Sequence, residues 1–211
     1  MGVMRVLHVA PEAYPLAKVG GLADVVGALP KALGPLGVEA HVLLPWHGGL
    51  EARRVGEVAF AFFGREERAP LGERVEGGVR FLLLGVEGFG RERVYGYPDD
   101  AERYLRFALA AKEVARGYDL VHAHDWTAAL LALYAPTVYT IHNLQYQGVF
   151  SIKSVQDTLG LGDDLFTSDK LECYGCANYM KAGLVYADEL TTVSPSYSDE
   201  IQTAFYGERL D

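Results

Sequence analysis

Lys18-Val19-Gly20-Gly21-Leu22-Ala23-Asp24 lies where a short apolar segment, residues 3–10, gives way through a Pro-containing loop, residues 11–17, to an amphipathic run, residues 22–36. The apolar segment shows almost no alternation, which suits a strand of a parallel sheet covered on both faces. Two glycines at the start of a helix leave backbone N–H groups open to close approach. The helix dipole adds partial positive charge there and Lys18 adds a full one, so the turn suits a phosphate or diphosphate. The alternative is an ordinary glycine-rich strand-to-helix turn with a solvated lysine. The spacing is neither that of a dinucleotide fingerprint nor that of a P-loop.

Outward from this turn, apolar and amphipathic segments alternate. Strands are expected at residues 3–10, 38–44, 120–124, 137–142 and 190–193, and β-rich segments at 55–63, 69–75 and 79–86 with a hairpin at Gly77-Gly78. Helices are expected at residues 21–36, with a kink or break at Pro30 and an end at Gly37; at 101–116, capped by Asp99 or Asp100; and at 127–134, 171–187 and 195–205. The alternation is that of an α/β, doubly wound parallel sheet.

Composition sets bounds on function. The chain has 211 residues, half of them hydrophobic, and a net charge of −9. That balance argues against a nucleic-acid surface but leaves room for an anionic ligand at a local cation. No apolar run reaches the roughly 20 residues of a membrane span. The N-terminus lacks the charged, apolar and small-residue regions of a signal peptide, so a cytoplasmic protein is expected. Cys173 and Cys176 form a lone C-x-x-C with no second pair beside it, which reads as two ordinary thiols and not as a zinc site. Residues 1–150 contain no serine, 12 Arg and 3 Lys, whereas residues 151–211 contain six serines, 1 Arg and 3 Lys. Net charge is −2 in the first part and −7 in the second. The first part has the composition of a thermophile or GC-rich source and the second does not, so a chimaera joined near residues 143–155 is one expectation and a loop-rich tail is the other. The last residues, 207–211, follow a helix without a closing element, as in a part of a longer protein.

In such sheets ligands bind beyond the carboxyl ends of the strands. Three strand ends here are polar: the turn at Lys18, Gly20 and Gly21; His122-Ala123-His124-Asp125-Trp126; and His142-Asn143-Leu144-Gln145-Tyr146-Gln147-Gly148. Together they offer a cation, a carboxylate, an imidazole and amides to one crevice. Taken singly, His122 and His124 read equally as core histidines, Asp125 as a helix cap, and His142 and Asn143 as turn formers.

These stretches resemble the N-terminal domain of the bacterial glycogen synthases, a family that includes the starch synthases. The likeness rests on Lys18 through Pro30, on Tyr97 and Asp99 before Ala101-Glu102-Arg103-Tyr104, on His122 through Trp126, on Thr140 through Gly148, on Met180-Lys181-Ala182-Gly183-Leu184 with Ala187-Asp188, and on Thr192 through Tyr197. Asp100 departs from the family's usual Asn, and the two cysteines belong to none of its motifs. The resemblance implies that residues 1–211 are one Rossmann-like domain, the acceptor-side half of a GT-B architecture, with the C-terminal nucleotide-binding domain missing. It implies transfer of glucose from ADP-glucose to the non-reducing end of an α-1,4-glucan with retention, little activity in the isolated chain, and no metal or other cofactor. It assigns catalysis to His142, Lys18 and Asp125, and substrate binding to Lys18, Gly20, Gly21, Asp24, Tyr97, Asp125, His142 and Asn143. Among these, Lys18 and the Gly20-Gly21 amides would meet the diphosphate, Asp125 and Asn143 would position sugar hydroxyls, and Asp24 and Tyr97 would face the acceptor. A non-catalytic module binding glucan or another partner is the competing expectation.

Overall fold

A computed structural model of the chain describes residues 2–159 and 162–210. Eleven strands and five α-helices follow one another as β1 (Met4–Val9), α1 (Gly21–Leu33), β2 (Val38–Pro45), β3 (Arg53–Phe62), β4 (Arg65–Glu76), β5 (Val79–Leu84), α2 (Asp100–Ala115), β6 (Leu120–His124), β7 (Thr137–Ile141), β8 (Val149–Ser151), α3 (Ile152–Leu159), β9 (Glu172–Cys173), β10 (Cys176–Asn178), α4 (Tyr179–Tyr186), β11 (Glu189–Thr192) and α5 (Pro195–Ile201). The large sheet has the order β11-β7-β6-β1-β2-β5-β4-β3. Its first six strands are parallel, while β4 and β3 extend one edge as an antiparallel hairpin. The doubly wound sheet is therefore present with an antiparallel extension. A second sheet, β8-β10-β9, is small and antiparallel.

Strands β2 and β5 are apolar on both faces over residues 42–44 and 81–84 because both faces are covered. Val42, Leu44, Phe81 and Leu83 pack with Leu22 and Val26 of α1. The residues between them, Leu43, Leu82 and Leu84, pack with Tyr104, Phe107 and Ala108 of α2. The period of two along the strand thus sends alternate side chains to opposite layers. Strand β1 lies between β2 and β6, so the chain reverses its direction of winding there, and the carboxyl ends of β1 and β6 flank the crevice this topology creates.

Several local expectations are corrected. Helix α1 runs through Pro30 without a break; the change comes at Gly34, where a 3₁₀ turn begins, and Gly37 then ends the segment at φ +81°. Asp99 and Asp100 do not cap α2 with their side chains. Asp99 instead holds Arg91 through two bonds of 2.6 Å. Asp100 accepts from the Gly96 amide at 2.8 Å and from Arg103 at 2.7 Å. The expected helix at 127–134 is a 3₁₀ helix over Ala129–Leu133. The segment 171–187 is not one helix: Cys173 and Cys176 face each other across a tight hairpin, with Tyr174 at φ +52° and Gly175 at φ +79°, and only α4 is helical. The C-x-x-C spacing is thus that of a two-residue turn, and both thiols are free. Among the described residues, no helix is long and apolar enough to cross a membrane.

Candidate functional site

The carboxyl ends of β1, β6 and β7 open into one cavity of about 850 Å³. Glu12 and residues 19–22 line it from the β1 side, residues 125–127 from β6, and His142 and Asn143 from β7; Tyr95, Gly96, Asp100, Tyr146 and Val193 complete the wall with Val25. Of the expected site residues, Gly20, Gly21, Asp125, His142 and Asn143 meet here. Lys18, Asp24 and Tyr97 do not line it.

The turn before α1 is already charged. Glu12, almost fully buried, accepts from the amides of Val19 and Gly20, the latter at 3.2 Å. Its other oxygen accepts from the Tyr95 hydroxyl at 3.3 Å. The protein's own carboxylate thus takes the first amides of this turn, and the open donors begin at Gly21. Lys18 points to Asp24, with Nζ 2.7 Å from both carboxylate oxygens. Both side chains are about half exposed, at 48% and 53%. An exposed pair of this kind is worth about 0–1 kcal/mol, so it opens readily for a competing anion. Tyr97 packs among Arg91, Arg93 and Arg103, each within 5 Å of its ring.

Asp125 is the hinge between two strand ends. Its backbone takes φ +54°, a left-handed conformation that Asp tolerates better than most residues. Its amide donates to the Thr140 carbonyl at 3.1 Å. Its carboxylate accepts from the amides of His142 at 2.8 Å and Asn143 at 3.3 Å. It therefore holds the β7 loop and caps no helix. Burial pushes its carboxyl up to about 7, against the two amide bonds, which favour the charged form. Trp126 next to it packs on Tyr104, Phe150 and Tyr179 and bears on Gly148, where even a Cβ would lie 2.4 Å from the indole.

Behind the cavity the histidines form a chain. His142 Nε2 lies 2.9 Å from His124 Nδ1, and His124 Nε2 lies 3.2 Å from His8 Nδ1. His122 Nε2 bonds Thr140 Oγ1 at 2.6 Å. Burial is the largest cause in each case and lowers His142 and His122 to about 4 and His8 to about 3, while His124 falls well below its ordinary range. All four are neutral at pH 7, so His142 can serve the cavity as a hydrogen-bonding group and not as a cation. One nitrogen from each of His8, His122 and His124 lies within 4.8 Å of the others. Among the described residues no carboxylate joins them, and His8 and His124 already bond each other.

Among the described residues the lining carries three acids, Glu12, Asp100 and Asp125, and neither Lys nor Arg. Carboxylates, amides, a neutral imidazole and aromatic rings suit the hydroxyls and apolar faces of a sugar. Glu12 and Tyr95 escaped the sequence analysis because each is an isolated residue in a loop; the only signal was the placement of Glu12 just beyond a strand end.

Comparison with known proteins gives a consistent picture. Residues 5–211 match a family model described as the starch synthase catalytic domain, so the match runs on across the compositional shift at residue 150. A glycogen synthase from Thermus thermophilus is 82% identical over 208 residues, covering 99% of this chain and 48% of the relative. One from Deinococcus radiodurans is 42% identical over 221 residues, covering 99% and 49%. The catalytic domain of starch synthase IV from Arabidopsis thaliana, solved bound to ADP and acarbose, superposes with a TM-score of 0.88 at 29% identity, covering 99% of this chain and 48% of that one. The chain spans about half the length of the curated relatives it matches.

Proposed function

The chain belongs to the glycogen and starch synthase family, and we propose that residues 1–211 are the N-terminal, acceptor-side half of a GT-B glucosyltransferase. The complete protein moves glucose from ADP-glucose to the non-reducing end of an α-1,4-glucan with retention, in the cytoplasm. The observation that carries this reading is the convergence of three strand ends on a sugar-sized cavity whose lining has no cation. A site that holds only half of what a nucleotide sugar needs fits a chain that is half of a two-domain enzyme, and ADP in the solved starch synthase structure supports the donor.

In this reading His142 and Asn143 bond the glucosyl hydroxyls. The loop that bears them is held in place by Asp125, whose second carboxylate oxygen also reaches the sugar. Lys18 leaves Asp24 for the diphosphate and stabilises the charge that develops as the glucosyl bond breaks, together with the Gly21 amide at the start of α1. Gly20 allows the close approach, and its own amide becomes available as Glu12 yields. Asp24 and Tyr97, outside the cavity wall, face the acceptor. Isolated, the chain has neither the nucleotide contacts nor enough positive charge to turn over, and the absent C-terminal domain supplies both.

The test is glucosyl transfer to glycogen from ADP-glucose and from UDP-glucose, with the chain alone and with a separately made C-terminal half, both shown to be folded by circular dichroism. Transfer from ADP-glucose only in the mixture is expected. No transfer from two folded halves that associate would refute the reading.

A further inference from the structure

We propose that His124 is a positioning residue that fixes His142 in its Nδ1–H form and so presents a hydrogen-bond donor to the cavity. The three imidazoles of His8, His124 and His142 form two consecutive N···N bonds of 3.2 and 2.9 Å across β1, β6 and the end of β7. A neutral imidazole has one proton, so His124 can donate at one nitrogen and must accept at the other. Both bonds therefore run the same way along the chain, either from His8 toward His142 or the reverse.

The far end decides the direction. His8 Nε2 is buried and has no partner among the described residues. If the chain ran from His142 inward, that atom would be an N–H donor in the core with nothing to receive it. If it runs outward, the atom is a bare lone pair. An orphaned buried N–H is the rarer and costlier of the two. The outward direction follows: His8 Nδ1–H donates to His124 Nε2, and His124 Nδ1–H donates to His142 Nε2. His142 then carries its own proton on Nδ1, which makes no hydrogen bond among the described residues, while His142 itself lines the cavity. The depressed pKa values of all three agree with a chain that stays neutral at pH 7. If the cavity holds a glucosyl unit, as proposed above, the group that meets His142 is a hydroxyl oxygen acting as acceptor.

His122 supplies an internal contrast. Thr191 Oγ1 lies 2.6 Å from Thr140 Oγ1 and 3.4 Å from the Tyr139 carbonyl; with its proton on that carbonyl it accepts from Thr140, which then accepts from His122 Nε2 at 2.6 Å. In that arrangement His122 is an Nε2–H imidazole, opposite in form to its three neighbours.

Long-range ¹⁵N–¹H correlation spectra of the uniformly ¹⁵N-labelled 211-residue chain at pH 8 read these forms directly, with His142 assigned by the signal lost in His142→Gln. The expected result is Nδ1–H for His8, His124 and His142, and Nε2–H for His122. In His124→Leu, His142 should revert toward Nε2–H, the commoner form of imidazole in water; a purely structural role for His124 would not move that signature. Should this variant fail to fold, the wild-type spectrum alone decides. Nε2–H at His142 in the wild type, or one transition metal bound per chain, would overturn the proposal. The measurement needs no transferase activity, so its outcome is separate from that of the proposed function.

Discussion

Asp125 combines a left-handed backbone, a buried carboxylate and two amide bonds to the neighbouring loop. Its carboxyl is raised to about 7, so the folded chain keeps a proton that the unfolded chain gives up near pH 4. Stability carried by this residue is therefore full below about pH 4 and declines as pH rises to about 7. Asp125→Asn keeps the acceptor and tolerates the backbone. Its stability advantage over the wild type should grow by about 2–3 kcal/mol between pH 5 and pH 8 in denaturant titrations. A constant difference would mean that Asp125 is charged throughout. Lys18 is the opposite case. Its pair with Asp24 is exposed, so Lys18→Ala should change stability by less than about 0.5 kcal/mol while lowering turnover of the complete protein by about 10- to 100-fold. Unchanged turnover would remove it from the mechanism. At this scale the sequence showed the polar strand ends but not their partners. Neither the grip of Glu12 on the Lys18–Gly21 turn nor the exchange of Tyr97 for Tyr95 in the wall follows from spacing, because both depend on how a loop folds back.

Helix α1 and the loop that precedes it act as one element. The Tyr14 amide donates to the Ala23 carbonyl at 2.9 Å, and a Cβ at Gly27 would lie 2.3 Å from the Tyr14 carbonyl oxygen. In an open helix Gly→Ala would add roughly 1 kcal/mol of stability. Here it should remove about 2–3 kcal/mol, because it pushes away the loop that carries Glu12 and Lys18. A rise in stability for Gly27→Ala in urea titrations would contradict that packing. Periodicity located β1, β2 and β5 because their apolar runs are nearly continuous. It failed over residues 171–187, where strands of two and three residues are too short to show alternation and the positive φ of Tyr174 has no sequence mark. It also missed α3, and gave Pro30 a break that the helix does not make.

The whole molecule holds its histidines neutral. All six, His8, His41, His47, His122, His124 and His142, are lowered chiefly by burial. A histidine lowered on folding contributes stability that is full above about 6.5 and is lost as pH falls, since the unfolded chain takes up protons that the fold refuses. Six such groups outweigh the opposite contribution of Asp125. Thermal unfolding should therefore shift to lower temperature from pH 7 to pH 5, and His8→Phe should lessen the shift. Equal melting at both pH values would show that the histidines are solvated. The doubly wound order was legible from alternating segments, and so was the hairpin at Gly77-Gly78 that joins β4 to β5, while the pairing that forms the antiparallel β3-β4 edge was not. Its surface is laced with ion pairs such as Arg54–Glu57 and Arg68–Glu66, which blunt an exposed edge.

The proposed function places sugar transfer in the crevice between β1, β6 and β7. The most direct measurement is the turnover of the complete two-domain protein carrying His142→Ala, with ADP-glucose as donor and glycogen as acceptor, alongside cosedimentation with glycogen. A fall in kcat of about 100-fold or more is expected, with glycogen binding unchanged. Turnover within about threefold of the wild type would place the chemistry elsewhere and contradict it.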